Sequence, residues 1–166
     1  MKTFTDTAGR TWTLALTIDA AKRVKGLLNV NLLEPEAGDP PLLSRLGTDV
    51  ILLCDVIFAI VKPQADAAGV SDEQFGAALG GEAIHAAQTA FYEELSDFFR
   101  KLGRGDLAKA APAQRRLIDL AVTRIETRID RLDLETAIET ILGEDDSTPG
   151  EPLKSSPPLP VANPAR

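Results

Sequence analysis

The sequence predicts a mainly α fold: an N-terminal β-hairpin packed on a small helical bundle, then a long C-terminal helix and a disordered tail. Three observations carry that expectation. Apolar residues alternate with a period of two only near the N-terminus, at Trp12, Leu14, Leu16 and Ile18, which marks a strand with one buried face. Further along they recur at helical spacing, in segments punctuated by glycine and proline. Beyond Gly143 the chain turns rich in Pro, Ser and acids, a composition that cannot bury a core and is expected to be disordered.

Taken in order, Thr3, Phe4 and Thr5 form the first arm of the hairpin, and Asp6 to Arg10 supply the turn. Gly9 is free to take a positive φ there. On the return arm Trp12, Leu14, Leu16 and Ile18 face one way, and Thr11, Thr13, Ala15 and Thr17 the other. A lone hairpin is marginal in water. Its apolar face therefore needs the helices or a partner's sheet edge. Asp19 is placed to cap a short helix from Ala20 to about Asn29, with Ala20, Val24, Leu27 and Leu28 on one face. A loop, EPEAGDPP, spans 34–41. Leu42 to Leu46 read as a single turn interrupted by Gly47, and Thr48 or Asp49 caps the next helix.

In that central helix Ile51, Leu52, Cys54, Ile57, Phe58, Ile60 and Val61 cover much of the circumference, as in a buried helix. Asp55 stands among them. An unpaired buried carboxylate is costly, so either Lys62, Arg23 or Lys25 partners it, or it lies on the helix's one solvated stripe. Pro63 either ends the helix near Lys62 or kinks it on the way to Ala68, and Gly69 stops it. Ser71 and Gln74 have the spacing of a capping box, after which Phe75 and Leu79 face inward and Gly80–Gly81 end the helix. Glu82 to Leu102 form a longer amphipathic helix. Its stripe is Ile84, Ala87, Phe91, Leu95, Phe98 and Phe99, with Glu82, Glu93, Glu94 and Asp97 at polar positions.

Gly103 and Gly105 end that helix, and Asp106 caps a short turn that stops before Pro112. The last helix, about 113–142, carries a narrow seam: Ile118, Val122, Ile125, Ile129 and Leu132 step by fours and threes, as in a coiled coil. The chain thus divides at 1–105, 106–142 and 143–166. Basic side chains gather on the last helix, at Arg115, Arg116, Arg124, Arg128 and Arg131. They either meet an acidic partner or form a solvated face. PPLP in the tail either engages an aromatic groove or belongs to a plain flexible tail.

A net charge of −7 argues against nucleic acid and anionic membrane as partners. Cys54 is the single cysteine and His85 the single histidine, too few for a zinc site of the usual kind. There is no Gly-x-Ser-x-Gly elbow, phosphate loop or dinucleotide fingerprint. Val50 to Val61, the most apolar run, is broken by Asp55 and falls short of the roughly 20 residues that span a bilayer. MKTFTDTAGR lacks the apolar core of a signal peptide. The expectation is a cytoplasmic binding protein with no catalytic residues, metal or cofactor.

One stretch is distinctive as a whole: DVILLCDVIFAIVKPQADAAGVSDEQFGAAL, Asp49 to Leu79. With FTDTAGRTWTL at Phe4–Leu14, IDAAKRVKGLLNVNLL at Ile18–Leu33 and the fading match of YEELSDFF at Tyr92–Phe99, it resembles the tail assembly chaperones of long-tailed bacteriophages and prophages. The resemblance covers about residues 4–102. It implies a helical assembly factor, absent from the virion, that holds the long tape measure protein soluble until the tail tube polymerises around it. Several copies are expected to coat that cargo. A longer frameshift product is expected to contact the tail tube protein. The family offers no catalytic residues to transfer. Its short apolar motif maps to Leu52, Asp55, Phe58 and Phe75. These join the seam Ile118, Val122, Ile125, Ile129 and Leu132 as candidate partner contacts. The extra helix at 113–142 and the proline-rich tail depart from the short members of the family. The alternative is a small helical structural or regulatory adaptor that oligomerises through the seam.

Overall fold

The computed structural model describes residues 1–130. Two short antiparallel strands, β1 (Lys2–Thr5) and β2 (Thr11–Leu14), precede six helices: α1 (Ile18–Leu28), α2 (Leu42–Thr48), α3 (Val50–Ala68), α4 (Asp72–Ala77), α5 (Glu82–Lys101) and α6 (Gly105–Asp130). The compact unit runs from Met1 to Ile125, and a second begins at Glu126. That boundary falls inside α6. Of the second unit only the helical residues 126–130 are described. The expected tail and the 131–142 part of the last helix, Leu132 included, lie outside the described residues.

The hairpin is set by one carboxylate. Phe4 pairs with Trp12 and Thr5 with Thr11. The Asp6 side chain is fully enclosed. Its Oδ1 accepts from the amides of Ala8 (3.0 Å) and Arg10 (2.9 Å), its Oδ2 from Arg10 Nε (2.7 Å) and the Trp12 indole (2.9 Å). Four donors satisfy a group that would otherwise be too costly to bury. Trp12, Leu14 and Leu16 point into the core as the alternation requires, but Ile18 is 44% exposed and already belongs to α1. The strand ends sooner than its pattern because Thr17, not Asp19, caps the helix: its side chain accepts from Ala20 N at 3.1 Å. Asp19 pairs with Arg23 instead. Leu27 is exposed and Ala21 takes its expected place in the core.

Aromatic rings then fasten the hairpin to the helices. Phe75, 1% exposed, lies 5.2 Å from Trp12, 5.2 Å from Phe58 and 6.5 Å from Phe4 between ring centroids. The capping box of α4 holds it there: Ser71 Oγ accepts from Gln74 N (3.2 Å) and Gln74 Oε1 from Ser71 N (3.0 Å). Polar side chains of the helices also serve the return arm. Gln64 of α3 bonds both backbone groups of Thr13 (3.0 and 2.7 Å), and Glu94 of α5 accepts from Leu16 N at 3.1 Å. Glu94 was expected on a polar face, yet it is 4% exposed. The Met1 amino group lies 2.7 Å from its second oxygen, an ion pair without hydrogen-bond alignment.

Both interior prolines are passed without a break. A proline at position i removes the hydrogen bond to the carbonyl at i−4, and inside a helix it costs about 3 kcal/mol. Pro63 frees the Ala59 carbonyl, and Arg23 of α1 donates to it at 3.2 Å and to Ile60 O at 3.2 Å. Pro112 frees the Ala108 carbonyl, and the Ser96 hydroxyl of α5 donates to it at 2.7 Å. The expected stop before Pro112 is therefore absent, and α6 is one helix from Gly105. Its first turns belong to the main core through Leu107, Ala108 and Ala111. Gly47 likewise does not break α2. Asp49 caps α3 by accepting from Leu52 N at 2.9 Å.

Two stability measurements follow. Ser96→Ala orphans a buried carbonyl and is expected to cost about 1–3 kcal/mol in urea denaturation. In a Pro112→Ala background, where residue 112 regains its amide, the same change should cost much less; equal costs would refute the pairing. The second concerns acid. Burial raises the Asp6 pKa, but hydrogen bonds from Trp12 and from the Arg10 backbone and guanidinium outweigh it and hold the carboxyl below its usual range. A native pKa below the unfolded one stabilises at higher pH, and that stability is lost as pH falls through the native value. Acid titration of the urea midpoint should show a loss below about pH 4 that Asp6→Asn removes, at the cost of lower stability at neutral pH.

Candidate partner-binding surfaces

The central helix presents one deeply buried side and one half-covered side. Leu53, Val56, Ile57, Ile60, Val61 and Ala65 are buried, whereas Leu52, Cys54 and Phe58 are only partly buried against the same core. Ile51, expected among the apolar residues of a buried helix, is 76% exposed. Asp55 is half-buried, on the less covered side. Lys62, one of the cations that could have partnered it, bonds Asp66 at 2.7 Å and lies over the Phe58 ring, and Arg23 is occupied by Asp19 and the two carbonyls. No cation pairs with Asp55 among the described residues. Burial, with the negative charges of Asp72 and Asp49, pushes its pKa up. Cys54 shares that setting: burial first, then Asp55 and Asp72, raise its pKa and keep the thiol protonated. A protonated thiol is a poor nucleophile.

The four motif residues of α3 and α4 thus fall in different places. Phe75 is wholly internal and presents no surface in this fold, and Phe58 packs on it. Asp55 lies on the half-covered side. Leu52 lines a groove of about 420 Å³ together with Leu28, Val30, Leu42 and Arg45. The residues just before Leu28 and Leu52 in sequence, Leu27 and Ile51, are exposed by 56% and 76%. This groove between α1, α2 and α3 is open and of mixed character, with Asn29, Asn31, Glu34 and Arg45 beside its apolar side chains.

The seam of α6 divides sharply. Its stripe begins with Leu107 and Ala111, which are core residues. Next comes Ile118, half-buried and packed over Gly47 of α2. A Cβ at Gly47 would lie 2.5 Å from Ile118 Cδ1, so the bare glycine lets α6 approach. Beyond that contact the stripe is open among the described residues. Val122, Ile125 and Ile129 are 48%, 59% and 57% exposed, and Leu117 and Leu120 beside them 61% and 66%. The fifth seam residue, Leu132, is outside the described residues.

A third concavity lies between α5 and α6, with Lys2 of β1 at its edge. It holds about 380 Å³, and its lining includes Tyr92, Ser96, Asp97, Arg115 and Arg116. Sequence reasoning missed it, because it needs two helices and a strand end to meet. The only hint was the cluster of arginines after Pro112.

His85 is exposed on α5. Among the described residues no group of three or more metal-ligating side chains occurs, and no helix is long and apolar enough to cross a membrane. Comparison with family models, curated proteins and solved structures finds no match to this chain.

The split in the seam has a measurable consequence. Ile118→Asp places a charge in the α2–α6 contact and should destabilise the fold by about 2–4 kcal/mol in urea denaturation. Ile125→Asp, on the uncovered part, should stay within about 0.5 kcal/mol.

Proposed function

We propose that this chain is a tail assembly chaperone of a long-tailed phage or prophage, acting by binding and not by catalysis. Its cargo on this reading is the tape measure protein, whose apolar helical segments it shields until the tail tube forms. The observation that best supports the reading is the uncovered stretch of α6. Val122 and Ile125 continue an apolar stripe that the body buries up to Ile118. A helix with such a stripe gains by laying it against another apolar helix. The groove beside Leu52, of mixed apolar and polar lining, offers a second contact on the same chain. Apolar burial contributes roughly 25 cal/mol per Å² before the cost of association. Two modest surfaces therefore give weak contacts, and a cargo is held by many copies with each still able to leave. A longer product would add a contact to the tail tube protein, and the chain would work in the host cytoplasm.

A second reading draws on the same exposed stripe: an adaptor that oligomerises through it. The two separate by experiment. Co-expression with the tape measure protein encoded nearby should raise the soluble fraction of that cargo and yield a co-eluting complex. A Val122→Asp, Ile125→Asp variant should lose both effects while its own melting curve is unchanged. Unchanged cargo solubility with the intact chain refutes the chaperone. Loss of a homo-oligomer in the variant, by light scattering and without any cargo effect, supports the adaptor.

A further inference from the structure

The cleft between α5 and α6 is unlike the apolar stripe of α6 and the groove at Leu52. Four cationic side chains line it, from Lys2, Arg100, Arg115 and Arg116, against two carboxylates, from Glu93 and Asp97. The carboxylates are already committed: Lys2 Nζ lies 3.1 Å from Glu93 and 3.7 Å from Asp97, and Arg100 bonds Asp97. On the α6 wall Arg115 is paired with Asp119, which leaves Arg116 as the unpaired cation among the described residues, in a protein whose net charge is −7.

The wall is also held in place. Arg115 donates to Thr89 Oγ1 of α5 at 2.9 Å and to Asp119 at 3.0 Å. These two bonds use two of its five N–H groups, and only about a fifth of its side chain is exposed (21%). Arg116, beside it, makes no ion pair among the described residues. Tyr92 forms part of the lining. It is 2% exposed, and its hydroxyl has no hydrogen-bond partner among the described residues. Buried polar groups without a partner are rare, and each costs about 1–3 kcal/mol. Pro112 and Ser96 complete the surface. Ser96 spends its proton on Ala108, so the Tyr92 hydroxyl remains as the unspent neutral donor.

We propose that this cleft is a carboxylate-binding site, with Arg115 and Arg116 as its cationic wall and the Tyr92 hydroxyl as a donor in its floor. A planar carboxylate suits a guanidinium held in a fixed orientation. The volume lies at the small end of ligand pockets, enough for a short dicarboxylate or for one acidic side chain of a bound polypeptide. The site does not depend on which cargo the apolar surfaces take.

The full chain with 3-fluorotyrosine at Tyr92, its single tyrosine, gives one fluorine resonance. It is titrated with sodium glutarate, with a capped peptide of alternating glutamate and alanine, and with sodium chloride at matched ionic strength. A saturable displacement by glutarate assigns the site to free dicarboxylates. A displacement by the peptide alone assigns it to acidic side chains of a polypeptide. Arg116→Gln, on an exposed residue outside any ion pair among the described residues, should leave the circular dichroism melt unchanged and weaken either probe about tenfold or more. The proposal is overturned if neither probe gives a saturable shift. It is also overturned if chloride reproduces the shift, or if Arg116→Gln binds as tightly as the parent.

Discussion

The fold rests on an accounting of backbone carbonyls. Two of its helices carry an interior proline, and each proline strands a carbonyl four residues earlier. In both cases a side chain on a neighbouring helix supplies the missing donor: Arg23 of α1 for Ala59, and Ser96 of α5 for Ala108. The repair couples helix continuity to helix packing, because the donor reaches the carbonyl only when the two helices lie together. The α1–α3 and α5–α6 pairings therefore do more than bury apolar area. They are the condition under which α3 runs on to Gln64 and α6 runs on past Pro112.

What lies beyond each proline depends on this. Gln64, one residue past Pro63, is the side chain that bonds both backbone groups of Thr13 on β2. If α3 stopped at Lys62, nothing would place Gln64 against the hairpin. Asp6 works from the other side, gathering four donors within the hairpin and orienting Trp12 toward Phe75. Phe75 in turn touches Phe4, Trp12 and Phe58, so one ring joins β1, β2, α3 and α4. A hairpin too small to be stable alone is thereby held by hydrogen bonds and ring contacts from the helices. Past Pro112, α6 carries Arg115 and Arg116 into the cleft and Ile118 onto Gly47 before its stripe emerges uncovered.

The surfaces left over are of two kinds. The stripe at Val122 and Ile125 is apolar and open, and the groove at Leu52 mixes apolar and polar lining. The α5–α6 cleft is cationic and partly preorganised, suited to an anionic group. The motif residues Leu52, Asp55, Phe58 and Phe75 divide between core and surface. Phe58 and Phe75 of that motif hold the core together, and only Leu52 reaches an open groove.

The sequence by itself determined the elements whose cause is local. The hairpin alternation, the capping box at Ser71, the stop at Gly69 and the amphipathic stripe of α5 each depend on residues within one or two turns of each other. It also exposed the seam of α6, because a period of four and three is visible in one dimension. Tertiary structure decided everything that needs a partner distant in the chain. Whether Pro63 and Pro112 break a helix depends on a donor 40 and 16 residues away in sequence, and no local pattern reports that donor. Glu94 reads as a surface acid until Leu16 N is brought to it, and the choice left open for Asp55 falls to the half-covered side of α3, with Lys62 on Asp66 and Arg23 on Asp19. The bare Gly47 admits Ile118 of the seam to the α2–α6 contact. Local free energies choose the helix or the strand. Only the packed whole settles which buried polar groups are satisfied, and hence which residues are core and which remain for a partner.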